Sequence, residues 1–206
     1  MARYFKYRVY LLFKLILMSL MLILASGSPR RKELLASLGV TFQVITSDVE
    51  ENNDLADPRK LVEINAKLKA DHVAELHHDS WVLGSDTTVA LGNEILNKPV
   101  DLTDARSMLK RMSSRTHTVY TAVCLLRKKT GIAELFTVTS QVSFKPLDDD
   151  LITKYFERVN PLDKAGAYGI QEGKEMIIER WEGSFSNIMG LPVDELKELL
   201  DKYSLL

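Results

Sequence analysis

Residues 22–38 read LILASGSPRRKELLASL, and the parsing of this stretch decides the fold. Four apolar residues, Leu22, Ile23, Leu24 and Ala25, run into Ser26-Gly27-Ser28-Pro29-Arg30-Arg31, and apolar residues return at Leu34, Leu35 and Leu38 with helical spacing. The pattern is strand, tight turn, helix. Ser28 suits the N-cap and Pro29 the first helical position, where a missing N–H costs nothing, so the helix should begin at Pro29. Unpaired backbone N–H groups, the positive end of the helix dipole, two serine hydroxyls, a permissive glycine and two guanidinium groups then converge on one corner. Such a corner either binds a polyphosphate or is a buried strand–helix junction with solvated arginines, and the local pattern leaves both open.

Outward from this corner the chain alternates strands and helices. Residues 42–45 alternate apolar and polar and read as a short strand; 47–57 is a polar, acidic segment. Pro58 opens a helix in which Leu61, Ile64, Leu68 and Val73 recur at roughly helical spacing, ending near His77. Residues 81–84 form a short apolar strand whose end delivers Ser85, Asp86 and Thr87, the kind of strand end where ligands collect in open α/β sheets. A hairpin follows over 88–96, turning at Gly92-Asn93.

Thr103 is the expected cap of a helix to Met112 that turns Ala105, Met108, Leu109 and Met112 inward. Two long strands, 116–126 and 133–144, precede an amphipathic helix over 148–159. A glycine-rich loop, 164–173, leads to a strand over 176–181, and Pro192 starts a last helix bearing Leu196, Leu199 and Leu200. The mixture indicates an α/β fold. No internal repeat or low-complexity tract interrupts it.

With 206 residues, 46% of them hydrophobic, the chain can bury a proper core as one domain. Lys plus Arg number 27 against 28 Asp plus Glu, so no global basic field recommends a nucleic-acid partner. The single cysteine, Cys124, reads as core and fits a reducing, cytoplasmic setting. His72, His77, His78 and His117 have no metal-ligand spacing with Cys124, and no G-x-x-x-x-G-K-[ST] loop is present. Trp81 and Trp181 both lie in apolar, strand-like context and read as core.

Arg3, Lys6 and Arg8 precede a mostly apolar run from Val9 to Ala25, the order of a signal peptide or short membrane anchor. The run continues directly into the strand of the serine-arginine corner, so cleavage near Ala25 would remove that strand. The preferred reading is that residues 1–20 are a dispensable extension or an over-extended start, Met18 and Met21 being placed to initiate, with residues 21–206 as one domain. An anchor is the other reading.

The corner resembles the opening motif of the Maf family of nucleoside triphosphate pyrophosphatases, a serine-rich turn followed by Pro-Arg-Arg. Further matches follow in order: Glu50-Glu51, Lys69-Ala70, Gly84-Ser85-Asp86-Thr87, Lys98-Pro99, DKAGAYGIQ over 163–171, and Gly190-Leu191-Pro192. The resemblance implies a Maf/inosine-triphosphatase-like fold, a mixed twisted sheet flanked by helices with two lobes around a central nucleotide cleft. It also implies a homodimer.

The implied activity is metal-dependent hydrolysis of a nucleoside triphosphate to monophosphate and pyrophosphate. Phosphate binding falls to Ser26, Arg31, Lys69 and Lys98, where arginine offers a forked contact and lysine a point charge. The family's general base maps to Asp86. Glu51 and Asp86 are the metal-side carboxylates for Mg²⁺ or Mn²⁺, an ion that needs few carboxylates when phosphates and water complete its shell. Asp48, Glu50 and Glu51 lie close together, and Glu51 is chosen because it occupies the family's acidic position.

Specificity follows from the same resemblance. Members similar to UTP/dTTP pyrophosphatases have Arg, Thr and Gln where this chain has Arg30, Thr87 and Gln171; those acting on 7-methyl-GTP tend to have Trp, Gln and Glu. An amide such as Gln171 can both give and take hydrogen bonds, as a uracil or thymine edge requires. The expected substrates are therefore dTTP, UTP and modified pyrimidine nucleotides. A 7-methyl-GTP pyrophosphatase and a nucleotide-sensing regulator of cell division are the alternatives, the second disfavoured by two carboxylates beside a polyphosphate.

Overall fold

The structure is a computed structural model and describes residues 21–206; the expectations for residues 1–20 lie outside the described residues. The elements run β1 (Leu22–Leu24), α1 (Pro29–Ala36), β2 (Phe42–Val44), α2 (Pro58–Ala74), β3 (Trp81–Leu91), β4 (Glu94–Leu96), α3 (Leu102–Met112), β5 (Thr116–Arg127), β6 (Ile132–Phe144), α4 (Asp149–Phe156), α5 (Lys174–Ile177), β7 (Ile178–Glu182), α6 (Phe185–Met189) and α7 (Val193–Lys202). The strands form one mixed sheet of order β2-β1-β3-β5-β6-β7, with β4 paired to β3. This is the expected α/β architecture.

β1 lies between β2 and β3, parallel to both, and pairs with only the first residues of β3, Leu22 with Trp81 through Leu24 with Leu83. β3 continues past the end of β1 as one straight member of an antiparallel ribbon with β5, from Val82 opposite Leu126 to Ala90 opposite Thr118. Asp86 therefore sits mid-strand, not at the strand end that its neighbours suggest. Ser85, Asp86 and Thr87 look like turn formers, but they stand opposite Val123, Ala122 and Thr121 within the ladder. What ends here is β1.

Three cores divide along the ribbon. On one face of its first half, Val62, Ala66, Ala70 and Val73 of α2 pack on Ile23, Val82 and Cys124. On the other face, Leu35 of α1 and Leu196 and Leu200 of α7 pack on Leu22, Leu24, Leu83 and Leu125. Around the second half, α3 and α4 pack with residues 165–178 on Val89, Val119, Val142 and Phe144. The cleft lies between the cores of the first and second halves, which are the two lobes.

Local expectations hold or fail for identifiable reasons. Ser28 caps α1, accepting from Arg31 N at 3.5 Å, with Pro29 at the first helical position. In α2 the expected stripe is displaced: Ile64 and Leu68 are 42% and 39% exposed, and the buried face is Leu61, Val62, Asn65, Ala66, Lys69, Ala70, Val73 and Ala74. Small residues let the helix approach the sheet, and two polar ones are buried because the cleft opens beside them. Asp101, not Thr103, caps α3, its carboxylate accepting from Asp104 N at 2.8 Å. The strand expected over 176–181 begins at Ile178, because Gly173, at φ 65°, starts one helical turn through Ile177. Helix α4 is shorter than the expected 148–159, and α6 was not foreseen. Trp81 is buried as expected, whereas Trp181 is 40% exposed on the outer strand β7.

Candidate active site

A cleft of about 730 Å³ opens where β1 stops and β3 continues. Its walls come from the turn after β1, the N-terminus of α1, the acidic loop before α2, the middle of β3, the segment after β4, the glycine-rich loop and the end of α6. Ser26, Arg30, Arg31, Glu51, Lys69, Asp86, Thr87, Lys98 and Gln171 all line it, so residues up to 145 positions apart in the sequence, Ser26 to Gln171, share one space.

Strand alternation sorts the motif residues. Gly84 and Asp86 face α2, while Ser85 and Thr87 face α1 and the segment after α6. A Cβ on Gly84 would stand 2.2 Å from the Ala66 carbonyl oxygen and 2.9 Å from Ala70 Cβ. The missing side chain is what allows α2 to close on β3. From the same turns of α2, Asn65 and Lys69 reach Asp86: Lys69 Nζ donates to Asp86 Oδ1 at 2.7 Å, and Asn65 Nδ2 to Asp86 Oδ2 at 3.3 Å. Lys69 also pairs with Glu51 Oε1 at 2.9 Å. Of the three neighbouring acids, Glu51 is the one that reaches this lysine.

Burial alone would raise the Glu51 carboxyl. The Lys69 ammonium, with Lys98 and Arg31 behind it, reverses the sign and holds it below the usual glutamate range. Asn65 was missed by sequence reading, although its i, i+4 relation to Lys69 is a usable signal. It exchanges two hydrogen bonds with the Asn52 backbone, at 2.8 and 3.0 Å, and so ties the acidic loop to the floor of the cleft.

Across the cleft, Arg31 is fixed by three acceptors. Nε donates to the Gly190 carbonyl at 2.9 Å, Nη1 to Ser26 Oγ at 3.3 Å and Nη2 to Thr87 Oγ1 at 3.0 Å. Burial pulls its guanidinium below the ordinary arginine value, with Asp86 and Glu51 pulling the other way. Ser26 Oγ also accepts from Ser28 N at 3.2 Å, which shapes the turn.

The glycine-rich loop is held to the rim. Arg30 forks onto Asp163, with Nη1 to Oδ2 at 3.1 Å and Nη2 to the backbone carbonyl at 3.4 Å. Lys164, whose direction the sequence leaves unsettled, is buried and turned into its own loop: it donates to the Asn160 carbonyl and Asp163 Oδ1, both at 2.8 Å, and lies 3.5 Å from Glu172 Oε2. It staples the loop. Gln171 donates to Glu172 at 2.9 Å, while its Oε1 is buried without a protein partner, as is Ser47 Oγ on the opposite wall. Tyr168 also lines the cleft, its hydroxyl 2.8 Å from His117 Nε2. Lys98 is exposed on the rim.

The donor set suits a hard divalent cation. Glu51 and Asp86 converge on one ammonium, so the spot is built to hold positive charge, and two carboxylates suffice for Mg²⁺ when phosphate and water supply the rest. Among the described residues no group of three or more His, Cys, Asp or Glu side chains forms a metal cluster. No helix of the described residues is long and apolar enough to cross a membrane.

Solved structures share this architecture: the Ham1 protein of Staphylococcus aureus matches with a TM-score of 0.54 at 14% identity, covering 89% of this chain and 99% of that one. A HAM1 protein from Coxiella burnetii matches with a TM-score of 0.51 at 15% identity over the same shares. The fold is thus of the Ham1 class. A family model described as Maf-like protein matches residues 21–203, and the chain belongs to the Maf family. Among its relatives, a protein of Syntrophus aciditrophicus named dTTP/UTP pyrophosphatase is 44% identical over 87% of this chain and 88% of its own length. One of Myxococcus xanthus with the same name is 43% identical over 90% and 93%.

Proposed function

We propose that this protein hydrolyses dTTP and UTP to the nucleoside monophosphate and pyrophosphate. The observation that carries the reading is the pairing, across one cleft, of a buried carboxylate held by two donors, Asp86, with an anion-binding wall made of Arg31, Ser26 and the N-terminus of α1. The names of relatives more than 40% identical over most of the chain support the substrates. The same chemistry extends to modified pyrimidine nucleotides.

The triphosphate lies with its oxygens toward Arg31, Arg30, Lys69 and Lys98, whose charges neutralise the developing pyrophosphate. Two N–H groups of Arg31, one on each Nη, have no partner among the described residues and remain for phosphate oxygens. Asp86 takes a proton from water, the water oxygen bonds to the α-phosphorus, and the bond from that phosphorus to the bridging oxygen breaks, releasing pyrophosphate. Glu51 and Asp86 would hold a divalent ion, Mg²⁺ or Mn²⁺, which neutralises phosphate charge and makes bound water more acidic.

The pyrimidine edge meets Gln171, which lines the cleft and whose amide can both accept from N3–H and donate to a base carbonyl. A 7-methyl-GTP substrate is disfavoured by Arg30, Thr87 and Gln171. The enzyme acts in the cytoplasm as a homodimer, the setting that its one buried thiol, Cys124, and its family suggest.

Hydrolysis in heavy-oxygen water tests the bond cleaved. Label recovered in the monophosphate is the expected result; label in pyrophosphate, or release of orthophosphate, would exclude attack at the α-phosphorus.

A further inference from the structure

Thr87 and Thr121 face each other across the β3–β5 ladder, and their hydroxyl oxygens are 3.0 Å apart. Thr121 is wholly buried, and its hydroxyl donates to the Asn187 backbone carbonyl of α6 at 2.9 Å. A hydroxyl has one proton. With that of Thr121 committed to Asn187, Thr87 must be the donor to Thr121. Thr87 then has only lone pairs left, and one of them receives Arg31 Nη2 at 3.0 Å. The direction of the whole chain is set: Arg31 gives to Thr87, Thr87 to Thr121, and Thr121 to the α6 backbone.

Two consequences follow from this polarity. Thr87 has no proton to offer a phosphate oxygen or a base carbonyl, so it can meet substrate only as an acceptor, and its other lone pair holds Arg31. The α6 segment, moreover, holds the same arginine twice, through this relay and through the Gly190 carbonyl on Nε. A guanidinium pinned at Nε and at both Nη atoms has one orientation, and its two remaining N–H groups are aimed in advance.

We propose that Thr121, which lies outside every motif that the sequence singles out, is a positioning residue for Arg31, acting through Thr87 as the middle member of this relay. The proposal deepens the triphosphate reading above and rests on it.

The test compares Thr121→Val, Thr121→Ser, Thr87→Val and the double valine variant in the full chain. Readouts are kcat/KM for dTTP and for UTP, corrected for folded fraction, and calorimetric affinity for inorganic tripolyphosphate. Thr121→Val should lower kcat/KM by about tenfold, as expected for loss of a hydrogen bond that orients a charged group, and Thr121→Ser should restore it to within about threefold. The loss should be equal for the two nucleotides, and the double variant should lose no more than Thr87→Val alone, because a relay fails as a unit.

A folded Thr121→Val with full kcat/KM, multiplicative losses in the double variant, or a changed dTTP:UTP ratio would overturn the proposal. If the wild type hydrolyses neither nucleotide, the function has failed, and tripolyphosphate affinity still decides the relay: weaker binding in Thr121→Val but not in Thr121→Ser supports it, and equal binding in all variants refutes it. Thr121→Cys replaces the valine variant if that one does not fold.

Discussion

Lys69 donates to Asp86 at 2.7 Å from one turn of α2 to the middle of β3, with both side chains at most 10% exposed. Such a pair is costly to break from one side, because the surviving charge stays buried. Lys69→Met should therefore lower unfolding free energy by about 3 kcal/mol and remove activity. Asp86→Asn keeps an acceptor for the ammonium, so it should leave the fold intact while lowering kcat by roughly 100-fold or more. Urea unfolding and steady-state kinetics on both variants check this; near wild-type turnover in Asp86→Asn would refute its role as base.

Gly84 sets the approach that makes this contact. A methyl group there meets a backbone carbonyl, which cannot rotate aside, so α2 must lift from β3. Gly84→Ala should cost about 1–3 kcal/mol in stability and lower activity further than stability explains, since Asn65 and Lys69 move with the helix. Thermal unfolding alongside kcat/KM separates the two effects.

These two positions also mark what the sequence disclosed. Ser28, Pro29 and the arginines were readable because caps and helix starts depend on adjacent residues. Asp86 was recognised through its motif yet misplaced, because continuation of β3 depends on β5, more than thirty residues downstream. The α2 face was misread for the opposite reason: periodicity favours Ile64 and Leu68, whereas the tight fit to Gly84 selects Ala66 and Ala70. Thr121 and the Arg30–Asp163 latch rest on contacts between distant segments, and neither spacing nor composition signals those; Asn65 was signalled only by its i, i+4 spacing from Lys69.

Gln171 lines the cleft, and its Oε1 is enclosed without a protein partner. Replacement by leucine removes an acceptor that the base would satisfy, so Gln171→Leu should reduce the preference for dTTP and UTP over purine triphosphates by about tenfold or more. The competition ratio measured in substrate mixtures is the check. An unchanged ratio would mean that the base is read elsewhere.

His117 is wholly enclosed by Phe144, Tyr168 and the second-half core, and burial pushes its imidazole from 6.5 down to about 3. The unfolded chain takes up a proton below pH 6.5 that the folded chain refuses until about pH 3, so stability falls as the pH drops through that window. Between pH 6.5 and the onset of carboxylate titration near pH 4.5, this one group should contribute a slope approaching 1.4 kcal/mol per pH unit, a step of about that size per unit following from linkage. Urea midpoints across that range should flatten in His117→Gln. An equally steep wild-type and variant profile would assign the acid sensitivity to other groups.

The measurement that bears most directly on the central claim is a substrate panel: the protein with Mg²⁺ or Mn²⁺ against the common nucleoside triphosphates and 7-methyl-GTP, with monophosphate, pyrophosphate and orthophosphate each quantified. Equal amounts of monophosphate and pyrophosphate, formed from dTTP and UTP with kcat/KM about tenfold or more above the other nucleotides, is the predicted result. Preferential turnover of 7-methyl-GTP would contradict the assignment of Arg30, Thr87 and Gln171, and no turnover of any nucleotide by folded protein would contradict the enzyme itself.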